Sequence, residues 1–250
     1  MRYPMRNIWT IAKREYNHYF ISPVAYVVAF AILLVIGLIF ALVVYSSADN
    51  ALYGGVPDIG PVTGSFAFML VLSVPALTMR LLADENRMGT MELLLTAPLR
   101  DSELIVGKWL GSLLFALTII AVSFVYPVVL NSLIEPGIDQ GAMITAYLGL
   151  ILVAAAFLAV GVGISSLFSN QVAAFFATMV ALVILWWLLG FPANYVQKGA
   201  EVFRYLDMQS HFYNSLGSGM INVTDLVYFF SLIAIGLFTG TLAVETRRWR

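Results

Sequence analysis

The sequence has no cysteine among its 250 residues and few charged side chains, which make up only 11% of the chain. Without cysteine, the chain can form neither a disulfide framework nor a thiolate nucleophile. Soluble domains carry about 25% charged residues, so the scarcity of charge excludes an ordinary soluble domain. Instead, 61% of the residues are hydrophobic and the mean hydropathy is +0.90. These values indicate an integral membrane protein.

The sequence also lacks a phosphate-binding loop. Such a loop requires the pattern G-x-x-x-x-G-K-[ST], and the only Gly-Lys pair is Gly107-Lys108. Trp109 follows where serine or threonine is needed, and Ser102 stands where the first glycine is needed. We therefore expect that this chain does not bind ATP.

Signatures of intramembrane catalysis are missing as well. The chain contains no H-E-x-x-H, no G-x-S-x-G and no hydrophobic run with two aspartates. The two histidines, His18 and His211, are predicted to lie on opposite faces of the membrane as surface residues. The sequence therefore predicts a protein that is not itself an enzyme.

Six hydrophobic runs are each long enough to cross a bilayer. A helix needs roughly 20 apolar residues to span the hydrocarbon core, where every backbone polar group must be bonded internally. No linker or repeat divides the chain, so one membrane domain over 1–250 with six transmembrane helices is expected. The six predicted spans are 24–44, 63–82, 109–130, 143–168, 172–190 and 226–244.

The basic residues predict the orientation of these spans. With the N-terminus inside, only Lys198 and Arg204 of the 13 basic residues fall outside, which leaves 11 inside. Positively charged flanks resist translocation and remain cytoplasmic. We therefore expect a multi-pass protein with both termini in the cytoplasm.

The segment 6–20 has the pattern of an amphipathic helix. Trp9 and Tyr16 are placed on its apolar side, and Lys13 and Arg14 lie opposite. Such a helix is expected to lie in the headgroup region in contact with membrane lipid. A plain basic flank that only sets the topology is the alternative.

The most informative polar segment is the loop 84–98 between the second and third runs. Asp84 opens it with an acidic group suited to a helix N-terminus, and Pro98 ends it. Gly89 is predicted to lie early in this helix, where its cost of about 1 kcal/mol against alanine suggests close approach by another chain. Asp101 or Ser102 is expected to cap the helix that follows. A solvated loop whose acids balance nearby arginines is the alternative.

Two sets of small residues predict close packing between helices. Small residues recur every fourth position at Ala155, Ala159 and Gly163, and a second small pair is Gly107 and Gly111. Both stripes would let another helix approach closely, whether from the same chain or from a second copy.

Trp186 and Trp187 are predicted to belong to an interfacial aromatic belt. One or two short helices are expected in the mixed segment 191–224.

The loop sequence resembles the coupling loop of ABC-2 type transporter permeases. Their pattern is roughly E-x-x-x-G-T-x-E-x-L-L-x-x-P, followed by a lysine that opens the third helix. The order of the amphipathic helix, the six spans and the basic tail is also similar. The endings Asp225-Leu226-x-Tyr228-Phe229 and Arg247-Arg248-Trp249 look closest to the gliding-motility-associated permease subgroup. The matching loop residues are Glu85, Gly89, Thr90, Glu92, Leu94, Leu95 and Pro98, with Lys108 as the lysine.

The resemblance implies an all-α permease of an exporter in a prokaryotic inner membrane. It implies a separate ABC ATP-binding subunit that docks on 84–98 and binds ATP and magnesium, with no cofactor in this chain. It also implies pairing with a second permease chain, most simply as a homodimer, and suggests an auxiliary extracytoplasmic membrane protein. A nucleic acid partner is not expected. The implied coupling residues are Glu85, Gly89, Thr90, Glu92, Leu94 and Pro98.

An ion- or proton-coupled transporter or channel without an ATPase partner is the alternative. Such proteins keep ionisable residues near the middle of the membrane, because moving charge requires a site that binds charge. Within the predicted spans only Arg80 is of this kind, and it lies near a span end where its side chain can reach the headgroups. The sequence therefore favours the ATP-driven class.

Overall fold

The computed structural model describes residues 4–50, 58–89, 99–135, 137–195 and 198–248, and within these ranges the chain is helical without a strand. A π-helical turn at Ile184–Leu188 extends α8, and 3-10 turns lie at Phe191–Asn194 and Leu216–Ser218. The α-helices are α1 Pro4–Tyr19, α2 Pro23–Asn50, α3 Gly60–Thr78, α4 Ala83–Met88, α5 Asp101–Ser123, α6 Val125–Leu133, α7 Gln140–Leu167, α8 Gln171–Val183, α9 Ala200–Leu206, α10 Met208–Tyr213 and α11 Val223–Arg248.

Six helical stretches in the described part are long and apolar enough to cross a membrane, which confirms the predicted fold class. Each contains or overlaps one predicted span. The helix of the third stretch begins at Asp101, before the predicted start of the span at Trp109, because the helix expected to follow the loop runs directly into the span. Its charged first two turns fold against α1, and this contact was not visible in the hydropathy pattern. The stretches are Pro23–Ser47, Gly60–Met88, Asp101–Leu133, Gln140–Leu167, Gln171–Asn194 and Val223–Thr246.

The central helix is α7, which is mostly buried and packs against α3, α5 and α11. A Cβ built on Gly163 would lie 2.6 Å from the carbonyl oxygen of Gly236 in α11. A Cβ on Gly236 would lie 2.5 Å from the backbone carbon of Ala159. Since neither position leaves room for a side chain, the small-residue stripe is where two spans of one chain touch backbone to backbone.

The second small pair serves the N-terminal helix. A Cβ on Gly107 of α5 would lie 2.7 Å from the side chain of Ile11. A Cβ on Gly111 would lie 2.8 Å from the backbone oxygen of Ala12, which is itself fully buried. Therefore α1 rests on the first half of the third span, with one face covered by protein.

The third span is broken in the middle for a chemical reason. Proline has no backbone N–H, so Pro127 cannot donate to the carbonyl of Ser123 four residues earlier. The helix is interrupted at Phe124, between α5 and α6. The hydroxyl of Tyr147 in α7 donates to the freed Ser123 oxygen at 3.0 Å. A neighbouring helix thus supplies the hydrogen bond that the proline removes.

The short helices predicted between the last two spans are α9 and α10. Trp186 in the π-helical turn packs beneath α10 and is only 1% exposed, with its ring near those of Phe157 and Phe212. The prediction of an aromatic belt was therefore wrong for Trp186, because the π turn directs this indole inward. The Gln209 amide oxygen can accept from the indole N–H groups of both Trp186 and Trp187, each at 2.9 Å.

Candidate coupling site at the base of spans two and three

The second span ends in a sharp turn before α4. Leu82 precedes α4 without a side-chain cap of its own. The hydroxyl of Ser165, from α7, accepts hydrogen bonds from the backbone N–H groups of Leu82 and Ala83 at 3.2 and 3.3 Å. Helix starts need such acceptors for their free N–H groups. The start of the 84–98 loop is therefore fixed to the central helix.

Lys108 joins three helices at this place. Its ammonium lies 3.0 Å from Glu15 Oε1 in α1 and 2.9 Å from Glu85 Oε1 in α4. The Lys108 side chain is only 3% exposed, and those of the two glutamates are 12% and 13% exposed. A buried ammonium is costly unless carboxylates surround it. We refer to Glu15, Lys108 and Glu85 together as the Lys108 bridge.

A second set of contacts joins α4 to the turn between α7 and α8. Gln171 donates from its amide nitrogen to a carboxylate oxygen of Asp84. Asn86 donates to the backbone oxygen of Phe168 at 3.0 Å. The first turn of the 84–98 loop is thereby bonded to the third span, to the fifth span and to the turn that follows the fourth span.

Gly89 ends α4. Its φ is +70°, in the left-handed region that favours glycine, and a Cβ there would have no neighbour within 4 Å among the described residues. The prediction of a helix continuing through Gly89 was therefore wrong, because this backbone conformation terminates it. The remaining predicted coupling residues Thr90, Glu92, Leu94 and Pro98 lie outside the described residues.

The next helix is capped differently from the prediction. Arg100, rather than Asp101 or Ser102, is the residue before the first turn of α5. Glu103, which is 5% exposed, accepts from the Arg100 backbone N–H at 3.3 Å and from the Asn7 side chain at 3.0 Å. The Glu103 carboxylate thus accepts from one backbone N–H at the helix start, and it also attaches the beginning of α1 through Asn7.

The four residues singled out on α1 have different surroundings. Trp9 is 55% exposed, and Lys13 and Arg14 are exposed. Tyr16 is half-buried, with its hydroxyl 3.2 Å from that of Thr118 in α5. The contact with α5 thus covers Tyr16 and leaves the other three uncovered.

Tyr19 forms a hydrogen bond between the C-terminal end of α1 and the second span. Its hydroxyl donates to the backbone oxygen of Leu77 at 3.0 Å. Burial, with a smaller contribution from the Glu15 carboxylate, raises the pKa of the Tyr19 phenol above its ordinary value. The phenol therefore stays protonated and remains a donor at physiological pH.

Away from this site, His211 forms a buried cluster with Asp225. Its Nδ1 lies 2.6 Å from Asp225 Oδ1, and its Nε2 lies 2.8 Å from the Tyr205 carbonyl oxygen. The prediction that His211 is a surface residue was wrong, since it is 7% exposed and stacks on Tyr228. Ser215 bonds to the other carboxylate oxygen of Asp225 rather than to His211, so the aspartate holds both side chains in place.

No cluster of three or more metal-binding His, Asp or Glu side chains occurs within the described ranges. The contacts around α4 link this short helix to several membrane helices. The fold is that of a multi-pass membrane protein.

Comparison with known families assigns the class. A family model described as ABC-2 type transporter matches residues 6–221, from α1 to the residues just before α11. The chain belongs to the ABC-2 type transporter family. Comparison with curated proteins gives no match.

Proposed function

We propose that this chain is the membrane-spanning subunit of an ATP-driven exporter, moved by a separate ABC ATPase that docks on the 84–98 loop. ATP and magnesium are bound and hydrolysed by that partner. Two permease chains, most simply two copies of this one, pair to form the translocation path. A relation to the gliding-motility-associated subgroup, with its auxiliary extracytoplasmic protein, is part of the same proposal.

The observation that carries the proposal is the Lys108 bridge. A loop that merely connects two spans needs no buried contacts with distant helices. Here Glu85, on the first turn of the loop, shares a buried lysine with Glu15 of α1. Rigid packed elements joined by ion pairs move together rather than deform. A push on the loop is therefore transmitted to α1 and to the third span at once.

We assign a different role to each of the coupling residues. Glu85 is used within the chain and transmits movement, rather than contacting the ATPase. Gly89 ends α4 and lets the chain turn toward the partner. Thr90, Glu92 and Leu94 are left to contact the ATPase, with Glu92 meeting basic or polar groups and Leu94 entering a groove. Pro98 ends this contact segment before α5.

The proposal requires the loop and both termini to face the cytoplasm. Because the chain has no native cysteine, single cysteines report sidedness without background. A cysteine in place of Asn7 should be protected from an impermeant maleimide added to intact cells, and a cysteine in place of Lys198 should react. The reverse pattern would overturn the proposal.

A direct test uses a charge change in the contact segment. Glu92→Gln should weaken co-purification with the ATP-binding subunit and reduce the ATP hydrolysis of the complex at least severalfold. Glu201→Gln is the matched control, since it removes an exposed carboxylate from the segment between the last two spans. Unchanged complex formation and hydrolysis in Glu92→Gln would defeat the assignment.

The alternative of ion or proton coupling has less support. In the described part, the buried side chains among acidic residues, basic residues and histidines are Glu103, Lys108, His211 and Asp225. Each has a hydrogen-bonded or charged partner, and none lies near the middle of a span. An ion-coupled mechanism needs such a group at mid-membrane depth.

A further inference from the structure

A cavity of about 1200 Å³ lies between α1, the start of α2, the end of α3 and α4. One part of its wall is apolar and is formed by Val24 and Ala25 on the first turn of α2 and by Ala76 and Leu77 on the last turn of α3. Since these turns begin and end membrane spans, this part of the cavity lies at the edge of the hydrocarbon region.

The other part of the wall is basic. Lys13 and Arg14 from α1 and Arg80 from the end of α3 line it, and all three are exposed. Among the described residues, none of the three forms an ion pair. Their charges are therefore available to a ligand.

The acidic groups of the same cavity are already engaged. Glu15 and Glu85 are held by Lys108, and Asp84 accepts from Gln171. They lie toward α4 and α5, and they are tied into contacts within the chain. A ligand phosphate would therefore face the three basic side chains without displacing a partner from any of them.

We infer that this groove binds an anionic phospholipid, with its phosphate among Lys13, Arg14 and Arg80 and its acyl chains along Val24, Ala25 and Leu77. We refer to it as the headgroup groove. An apolar wall that continues into a basic wall at the end of two spans matches an amphiphile whose charge lies where its tails begin. A phosphate without tails would leave the apolar half of the groove unfilled. The inference depends on membrane insertion only, so it can fail or hold independently of the ATPase.

The test is native mass spectrometry of the full-length chain purified in detergent. Dioleoylphosphatidylglycerol and dioleoylphosphatidylcholine, which differ in headgroup charge, are added in equal amounts. Arg14→Gln/Arg80→Gln removes two groove charges, and Arg6→Gln/Arg87→Gln removes two exposed charges near the same end that do not line the groove.

We expect the wild-type chain to retain the anionic lipid in preference to the zwitterionic one. Each basic side chain contributes roughly fivefold near an anionic surface, so the groove variant should lose preference by about 30-fold. The control variant should keep it. If the double variant is poorly folded, Lys13→Gln alone, at an exposed position, should show a loss of about fivefold.

Three results would overturn the inference. The first is equal retention of phosphatidylglycerol by the wild-type chain and the groove variants. The second is an equal loss in the groove and control variants, which would mean general attraction to the basic face. The third is release of the lipid by millimolar inorganic phosphate, or binding of that phosphate alone, which would assign the groove to a free anion.

Discussion

The ammonium of Lys108 lies 2.9 Å from the carboxylate of Glu85, and both side chains are largely shielded from solvent. The pair connects the beginning of the 84–98 loop with the start of the third span. Because Glu15 shares the same ammonium at 3.0 Å, α1 belongs to this connection as well.

Lys108→Gln should lower the free energy of unfolding by about 3 kcal/mol, because the largely shielded carboxylates of Glu15 and Glu85 lose the ammonium that they share. Adding Glu85→Gln should recover part of the loss, since one uncompensated charge is then removed. The double-mutant cycle is measured by denaturant or thermal unfolding in detergent. Strictly additive effects of the two substitutions would show that the bridge contributes no coupling energy.

Substitutions of Gly89 distinguish two reasons for a glycine at this position: its left-handed backbone and close contact with a partner. If the left-handed backbone is what matters, Gly89→Ala should cost about 1 kcal/mol of stability and reduce the ATP hydrolysis of the complex. Gly89→Asn should do less harm, because asparagine tolerates this conformation better. If asparagine instead proves the more harmful, the space at Gly89 matters and a partner lies against it.

Gly111→Val should separate α1 from α5. A Cβ there meets the backbone oxygen of Ala12, which cannot rotate away, so we expect a loss of about 2–3 kcal/mol. Ala121→Val on the same helix is exposed and should be neutral. The stabilities of the two variants are compared by thermal unfolding in detergent. Equal stabilities would contradict the close packing of α1.

His211→Gln should destabilise the segment before the last span by about 1–3 kcal/mol, because the buried Asp225 carboxylate loses a hydrogen-bond partner. His18→Gln changes the other histidine, which is exposed, and should have no effect. Limited proteolysis of the segment between the last two spans measures this local destabilisation. Equal resistance of both variants would show that the His211–Asp225 contact does not hold this segment.

Hydropathy and turn residues were sufficient to predict six spans, because burying a helical backbone in lipid demands long apolar runs. The coupling loop could be located from the pattern between Glu85 and Pro98. The partners of Lys108 could not be predicted from the sequence, because an ion pair between helices depends on how α1 folds back onto α5. Gly107 and Gly111 indicated that a helix approaches there, but sequence alone did not reveal which one.

His211 and Trp186 were mispredicted for a related reason. Trp186 lies near the end of a span and His211 lies in the segment between the last two spans, and at such places polar and aromatic residues usually face the membrane surface. Here α10 and the π-helical turn fold back over α7, and this tertiary packing buries side chains that local composition predicts to be exposed. Short irregular segments carry too little periodicity to reveal such packing.

The most direct measurement is site-specific cross-linking from the loop of the full-length chain. A cysteine in place of Glu92 is coupled to a heterobifunctional photo-cross-linker in native membranes, and the products are labelled with 8-azido-ATP. The account predicts an ATP-labelled adduct between this chain and a separate polypeptide, whereas a cysteine in place of Lys198 gives none. A labelled adduct from Lys198 but not from Glu92, or export by the purified chain alone, would contradict the account.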